Sequence, residues 1–341
     1  MKKIVVISDI QLHCHQNWST VEDNGLNSRL LDGISTLEQA TELADGGMLV
    51  VAGDFFHDSR AIDIAVLHEA GKWINWARKR CDKIVIAAGN HDHSRKIGNI
   101  HSLETFRHSN VEIVDDWQSY WLKSGSGDKD DYFSARSPDP IFVAAFTEDI
   151  DKLRKRLADQ PDQSICLLHQ DVKGGKMNGG RVCESGLTIG ELERFKLVLL
   201  GHFHEPQELA PNIHYIGSPY QIDKGEMGNE NRVAVLEDGE LTWVPTVGTP
   251  QYKVVHYDAF RAMEGAYENH FWEVVCNDEQ RALIAETPPI ANYKVVGTAQ
   301  EASKEAEEAV GSISVAEAVT TELEKAGAGH LVTEALSRLP S

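Results

Sequence analysis

Five short clusters rich in Asp, Asn, Gln and His hold the side chains in this sequence that could do chemistry. The clusters are Ser8–His13 (SDIQLH), Gly53–His57 (GDFFH), Gly89–Asp92 (GNHD), Leu168–His169 and Gly201–His204 (GHFH). Carboxylate oxygens, amide oxygens and imidazole nitrogens together suit Mn, Fe or Zn. The clusters therefore indicate a site for divalent metals, and two ions about 3.5–4 Å apart need a shared anionic ligand.

Asp54 is the residue that we expect to bridge two ions, because it stands alone as an acidic candidate between them. His202 and His204 alternate along a strand end, and a local twist could aim one at each ion. Each cluster by itself is ordinary, since an Asp after a strand is usually a helix cap and an isolated histidine such as His169 is usually a core residue. All five clusters in one order, each after a strand, are hard to obtain by accident.

Each cluster follows a short apolar run that predicts a β-strand, and polar helical stretches lie between these runs. Strands that alternate with helices predict a layered α/β domain with both sheet faces covered. The clusters then meet where the carboxyl ends of several strands converge. The predicted strands are Ile4–Ile7, Met48–Ala52, Ile84–Ala88, Ile141–Ala145, Ile165–Leu168 and Leu197–Leu200, and the predicted helices are Ser28–Ala44, Ile62–Arg80, Asp149–Leu157 and Ile189–Arg194. Ser124–Asp131 (SGSGDKDD) predicts a surface hairpin.

Composition narrows the class of protein. The net charge of −20 argues against a broad basic surface for nucleic acid, although it leaves room for a local basic groove or for phosphate binding through metals. Five cysteines without paired spacing favour a reducing cytoplasm. We expect no membrane span, because no long apolar run occurs. There is also no Gly-x-x-x-x-Gly-Lys-[Ser/Thr] loop, so ATP hydrolysis would need another chain.

Three domains are expected. Residues 1–245 contain all five clusters. Residues 246–297 predict a small β-α-β unit, and residues 298–341 are rich in Ala and Glu and predict two short helices with narrow apolar stripes. The elements expected in the last two segments are strands at Trp272–Cys276 and Tyr293–Val296, a helix at Asp278–Ala285, and tail helices on either side of Gly327–Gly329.

The order Asp…Gly-Asp…Gly-Asn-His-Asp…His…Gly-His-x-His resembles the calcineurin-like metallophosphoesterase superfamily, over about residues 1–245. That resemblance implies a layered β-sandwich flanked by helices, and it implies two half-sites that share Asp54. The first half-site would comprise Asp9, Gln11, Asp54 and His204, and the second Asp54, Asn90, His169 and His202. His91 matches the residue that lies over the metals and assists departure of the leaving oxygen.

Gln11 departs from the family pattern, which has a histidine at this position. A Gln oxygen can still bind a hard ion, but more weakly than an imidazole binds. His13, two residues on, could substitute as a ligand, although a surface histidine at a loop start is at least as good an interpretation.

Tyr215–Gln221 (YIGSPYQ) and the turn Lys224–Glu226 resemble the SbcD type of DNA-repair nuclease, including subunits encoded by phages. This resemblance implies a DNA substrate, two divalent ions with Mn expected and Mg, Fe or Zn as alternatives, and a location in the cytoplasm, or the host cytoplasm for a phage protein. It also implies that 246–297 is a capping domain and that 298–341 binds the coiled coil of an SMC-like ATPase subunit of the SbcC type. Whether two copies form a homodimer stays open.

Two other functions remain as alternatives. One is a metallophosphoesterase that acts on a nucleotide or a phosphoprotein, which the extra C-terminal segments disfavour. The other is a metal-poor scaffold for the ATPase, for which Gln11 is the sole support. The tail helices also have a second interpretation, in which their apolar stripes pack on the capping domain.

Overall fold

The computed structural model describes residues 3–94, 100–121, 140–177, 179–262, 270–285, 293–296 and residue 320. The chain divides into two compact units, residues 1–247 and 248–341. The hairpin expected at Ser124–Asp131 lies outside the described residues, as do the predicted tail helices apart from Thr320.

The first unit contains two six-stranded sheets. In the first sheet the strand order is β12-β11-β1-β2-β3-β4, and in the second it is β5-β6-β7-β8-β10-β9. The strands are β1 (Ile4–Ile7), β2 (Met48–Ala52), β3 (Lys83–Ala87), β4 (Val111–Val114), β5 (Trp117–Trp121), β6 (Pro140–Ala144), β7 (Ile165–His169), β8 (Leu197–Gly201), β9 (Gln207–Ala210), β10 (Ile213–Tyr215), β11 (Arg232–Glu237) and β12 (Glu240–Pro245). Each sheet has a parallel centre, β1 to β4 in one and β6, β7, β8 and β10 in the other, with antiparallel strands outside it.

Four α-helices accompany these sheets in the described part of the first unit: α1 (Ser28–Leu43), α2 (Ile64–Ala77), α3 (Ile150–Ala158) and α4 (Ile189–Leu192). The helix predicted from Ile62 begins two residues later, because the Asp63 side chain accepts a hydrogen bond from the Ala65 amide and caps the first turn. The helix predicted to reach Arg194 ends at Leu192, one residue after the Thr188–Glu191 capping box that begins it.

Successive side chains along each strand point to opposite faces of the sheet, and this divides the buried residues into three clusters. Val5 and Ile7 pack with α1 and α2 on the outer face of the first sheet. Ile4 and Val6 point the other way and pack against Leu167 and its neighbours on the second sheet. The outer face of the second sheet is covered by α3 and α4. The layers are therefore helix, sheet, sheet and helix, and the predicted layered α/β fold is confirmed.

The second unit contains a three-stranded parallel sheet in the order β13-β14-β15. Its strands are β13 (Tyr252–His256), β14 (Phe271–Val275) and β15 (Tyr293–Val296), with helices α5 (Tyr257–Ala262) and α6 (Asp278–Ala285). The two strands and the helix expected in this segment are present, and β13 with α5 adds a further strand and helix. No helix among the described residues has the length and apolar character to cross a membrane.

Candidate metal centre

The polypeptide turns sharply where several strands end, and the turning residues are predicted ligands. Asp9, Gln11, Asp54 and His202 have φ angles of 54°, 46°, 51° and 98°. Non-glycine residues rarely adopt positive φ, which costs on the order of 1–3 kcal/mol, and such strain clusters at functional sites. The backbone amide of Gln11 donates to the backbone carbonyl of Asp54 at 2.9 Å, so the loops after β1 and β2 stay paired beyond the sheet.

The second half-site, predicted as Asp54, Asn90, His169 and His202, comes together in the structure. His169 Nε2 lies 3.4 Å from Asp54 Oδ1 and 3.1 Å from Asn90 Oδ1. Asp54, His169 and His202 each offer a ligand atom, and these atoms lie within 4.8 Å of one another. This half-site thus has the donors and the spacing to hold a divalent ion.

The first half-site, predicted as Asp9, Gln11, Asp54 and His204, is also assembled. Asp9 Oδ1 lies 3.8 Å from His204 Nε2. The Gln11 amide nitrogen lies 3.1 Å from His204 Nε2 and 3.4 Å from Asp54 Oδ2, and Gln11 Oε1 lies 2.7 Å from His57 Nδ1. In this orientation the amide presents nitrogen to the half-site, so binding a metal through Gln11 requires the amide to turn over and present oxygen.

His13, the alternative to Gln11, lies elsewhere in the loop. Its ring contacts the rings of His15 and His57, with centroid separations of 5.0 and 5.1 Å. Gln11 is the residue that lies between Asp54 and His204.

The histidines of both half-sites are held by acceptors on their outer nitrogens. His169 Nδ1 donates to the Ala52 carbonyl at 2.8 Å, and His202 Nε2 lies 3.2 Å from Asp171 Oδ1. His204 Nδ1 lies 2.6 Å from Glu226 Oε1. Such acceptors fix the imidazole tautomer and leave the other nitrogen available as a ligand.

Glu226 is completely buried and is itself tightly held. Its Oε2 accepts hydrogen bonds from the Ser218 hydroxyl at 2.7 Å and from the Ile222 amide at 3.0 Å. The stretch Tyr215–Gln221 and the turn Lys224–Glu226 therefore have a structural explanation here, because they place a carboxylate behind His204.

The electrostatics fit a cation. Burial lowers the pKa of His169, but the carboxylates of Asp54 and Asp9 outweigh the effect of burial and raise this pKa to about 9. The pKa of His204 is likewise raised to about 9, since Glu226 and Asp9 outweigh the effect of burial. Three buried carboxylates, Asp9, Asp54 and Glu226, thus favour positive charge in the cluster, and divalent ions fit this donor set.

His91 lies at the accessible edge of the cluster. Its amide donates to Asp54 Oδ1 at 2.9 Å, and its Nδ1 donates to the His57 carbonyl at 2.5 Å. Its Nε2 lies 4.0 Å from Asp54 Oδ2, and its side chain is 31% exposed. The arrangement leaves Nε2 free to face a substrate.

Asp92, the last residue of the third cluster, supports the loops. Its carboxylate accepts hydrogen bonds from the amides of Phe55, Phe56 and Gly89 at 2.9 to 3.1 Å. Burial, and then the charge of Asp54, raise the pKa of Asp92 to about 7. Asp92 joins the loops that carry Asp54 and His91.

The sequence did not identify Asp171 or Glu226 as part of the site, and it placed His57 in the second cluster without assigning it a role. Asp171 lies two residues after His169, and a hydrogen bond from His202 lowers the pKa of Asp171. The only signal for Glu226 was the resemblance of its turn to a known type of nuclease.

The family model described as calcineurin-like phosphoesterase matches residues 2–206. The chain belongs to the calcineurin-like phosphoesterase family. This phosphoesterase is a hydrolase that acts on phosphoester bonds, in a family that uses divalent metals.

Individual proteins similar to this phosphoesterase come from several sources. The putative phosphoesterase 244L of Invertebrate iridescent virus 6 is 26% identical over 214 residues, which cover 61% of this chain and 70% of the viral protein. An archaeal phosphodiesterase structure has 15% identity and a TM-score of 0.33, and covers 72% of this chain and 99% of its own. The nuclease MPE of Pseudomonas putida has 14% identity and a TM-score of 0.29, and the match covers 71% of this chain and 87% of the nuclease.

Proposed function

We propose that this phosphoesterase is a two-metal DNA nuclease in which Asp54 bridges the ions. One observation carries the two-metal part. Asp54 Oδ1 faces the second half-site, 3.4 Å from His169 Nε2, whereas Asp54 Oδ2 faces the first, 3.4 Å from Gln11 Nε2. A carboxylate with one oxygen towards each half-site is the shared anionic ligand that a two-metal site needs.

Each half-site contributes its own donors in this proposal. Asp9, His204 and the turned Gln11 amide would hold one ion, and Asn90, His169 and His202 the other. When bound, the ions supply Lewis-acid polarisation of the phosphoryl group and lower the pKa of a water nucleophile. The donor set suits Mn, Fe or Zn, and the resemblance to the SbcD type makes Mn the proposed metal.

His91 is the proposed acid. Because Nδ1 donates to the His57 carbonyl, a protonated ring presents its second proton on Nε2, at the exposed edge of the cluster. That proton can pass to the leaving oxygen as the phosphodiester bond breaks. General acid catalysis of this kind contributes about 10²–10⁴-fold.

DNA as substrate and an ATPase as partner rest on the segments after the fifth cluster. Tyr215–Gln221 and Lys224–Glu226 resemble the SbcD type, and here they hold the carboxylate behind His204. The second unit has the place and size of a capping domain, and 298–341 has the place of a tail that binds a coiled coil. These features favour a nuclease over an enzyme for free nucleotides or phosphoproteins.

The substrate is tested by comparing four compounds with the purified chain reloaded with Mn: linear DNA, bis-p-nitrophenyl phosphate, a cyclic nucleotide and a phosphopeptide. We expect hydrolysis of DNA and of the small diester, and none after Asp54→Asn. Hydrolysis of the phosphopeptide or the cyclic nucleotide without cleavage of DNA would exclude the nuclease.

The partner is tested with the full-length chain. It is co-expressed with an ATPase that has a long heptad region and is encoded by a neighbouring gene. We expect co-purification, and we expect Leu323→Asp with Leu336→Asp to abolish it while Mn-dependent hydrolysis of the small diester stays unchanged. Loss of metal or solubility in that variant would show that the tail belongs to the core instead.

A further inference from the structure

A hairpin beside the second half-site carries cations that the metal centre does not use. We define the cationic hairpin as residues 171–177 and 179–187. Lys176 and Val182 pair across it, and the amides of Gly174 and Cys183 donate to the carbonyls of Cys183 and Gly175. These bonds hold the two arms of the hairpin together.

The base of the cationic hairpin touches the metal centre directly. Asp171 lies 3.2 Å from His202 Nε2, as described above. Lys173 follows two residues later, so its Cα lies at most about 7 Å further along the chain. A cation on this arm therefore starts close to the second half-site.

The middle of the hairpin is clamped to the segment that carries His202 and His204. Gln207 accepts from the Lys176 amide at 2.7 Å and donates to the Lys176 carbonyl at 2.8 Å. A Cβ added at Gly175 would lie 2.9 Å from the ring of Phe203, which stands between the two histidines. The hairpin thus packs against the fifth cluster with no room for a side chain at residue 175.

The charge on the cationic hairpin opposes that of the whole chain. Lys173, Lys176 and Arg181 are exposed, against one exposed carboxylate on the arms, Glu184. Lys176 pairs with Glu205 at 3.6 Å, whereas Lys173 and Arg181 form no ion pair with any residue that the structure describes. Lys173 and Arg181 are therefore two exposed cations without an ion-pair partner among the described residues, on a chain whose net charge is −20.

We propose that the cationic hairpin binds phosphates of the DNA strand next to the phosphodiester that is cleaved, an inference that rests on the proposed nuclease function. A long polyanion is repelled by a chain of this net charge unless cations near the site offset the repulsion. In this proposal Lys173 and Arg181 are the residues that contact the flanking phosphates. A small phosphodiester without flanking phosphates needs neither residue.

The test compares two full-length double variants with the same change of net charge. Lys173→Glu with Arg181→Glu removes the two cations of the hairpin. Lys79→Glu with Lys155→Glu is the control, because both lysines are exposed, Lys79 in the turn after α2 and Lys155 on α3, and both lie outside the five clusters. Initial rates with Mn are measured on a single-stranded oligonucleotide and on bis-p-nitrophenyl phosphate, over a series of salt concentrations.

The hairpin variant is expected to raise KM for the oligonucleotide on the order of tenfold relative to the control, with kcat and the small diester unchanged. The slope of log(kcat/KM) against log[salt] should become shallower by about 1.4, because each phosphate contact on a single strand contributes about 0.7 and two contacts are lost. Equal slopes in the two variants would overturn the proposal. So would an equal loss on the small diester, because the hairpin would then only shape the metal centre.

Two further outcomes separate this proposal from others. If the wild type hydrolyses the small diester but no DNA, the proposed nuclease function fails and the hairpin proposal fails with it. If the hairpin variant keeps the DNA salt slope but no longer co-purifies with the ATPase, the hairpin is a protein-docking surface. If the wild type cleaves DNA but the hairpin variant has the same salt slope as the control, the hairpin proposal fails and the nuclease function stands.

Discussion

The two half-sites share Asp54 but surround it differently. In the second, His169 and His202 bring imidazoles within 4.8 Å of an Asp54 oxygen, and Asn90 adds an amide oxygen. In the first, His204 is the one predicted imidazole, and Gln11 turns its nitrogen towards it. A half-site built from imidazoles and carboxylates has ligands ready, whereas one that relies on an amide must first rotate it.

The acceptors that hold the histidines differ in the opposite direction: the half-site with fewer imidazoles has the more firmly held histidine. His204, in the poorer half-site, has a buried carboxylate that two further donors fix in place. His202, in the richer half-site, has Asp171, whose side chain is 29% exposed. The first half-site therefore combines a weaker set of ligands with the better-held histidine.

Asp54→Asn should have the largest effect, because it removes the one group common to both half-sites. Asn keeps a single acceptor oxygen and loses the charge, so we expect nearly all activity on the small diester to vanish and both ions to bind more weakly. Metal content by mass spectrometry and turnover in Mn measure this. Asp58→Asn, on the same loop and paired with Arg60, is the control. Wild-type turnover in Asp54→Asn would contradict the two-metal assignment.

His91→Asn should lower kcat by about 10²–10⁴-fold while the content of two ions stays unchanged. The reason is geometric, since the contact of residue 91 with Asp54 Oδ1 is made by the backbone amide and survives the substitution. His108→Asn, exposed and remote in sequence from the clusters, is the control. Loss of an ion together with activity would make His91 a ligand instead of an acid.

Glu226→Gln and Asp171→Asn test the supports of the two half-sites. We expect each to weaken Mn binding at its own half-site by about 10–100-fold, the usual effect of losing the partner of a ligating imidazole. Glu226→Gln should have the larger effect, because Glu226 is fully buried and makes three hydrogen bonds. Calorimetry with Mn resolves the two affinities, and Glu193→Gln is an exposed control. A lower melting temperature with unchanged affinities would mean that these carboxylates serve packing alone.

The parts of the fold that the sequence predicted are those with one dominant signal. β1, β2 and β7 are buried along their whole length, and a continuous apolar run identifies them to within a residue. β9 and β12 were missed because they contain Gln, Glu and Thr and none of their residues is buried, so no apolar run marks them. Their pairing partners decide that they are strands.

The candidate site shows the same division. The predicted ligands each follow a strand, so local sequence placed them together at one edge. The acceptors behind the histidines have no such mark, because any carboxylate that folds back far enough can serve. Glu226 lies 22 residues from His204. The orientation of the Gln11 amide was equally beyond the sequence, because it depends on His57, 46 residues away.

Gln11→His should have the smallest effect and tests the contrast between the half-sites most directly. Histidine can adopt the same positive φ as glutamine, so the backbone is strained equally in both. An imidazole at this position presents a nitrogen ligand without the amide rotation. We therefore expect tighter Mn binding at the first half-site, on the order of tenfold, and activity with a wider set of metals.

His13→Gln is the matched comparison for Gln11→His, because His13 is the alternative ligand to Gln11 in the first half-site. The ring of His13 contacts His15 and His57, so its removal should leave both Mn affinities as they are in the wild type. If calorimetry instead gave equal affinities at the two half-sites of the wild type, Gln11 would not be a weak ligand. If His13→Gln then lowered one of them, His13 would be the compensating ligand, and the weakness that we assign to the first half-site would be wrong.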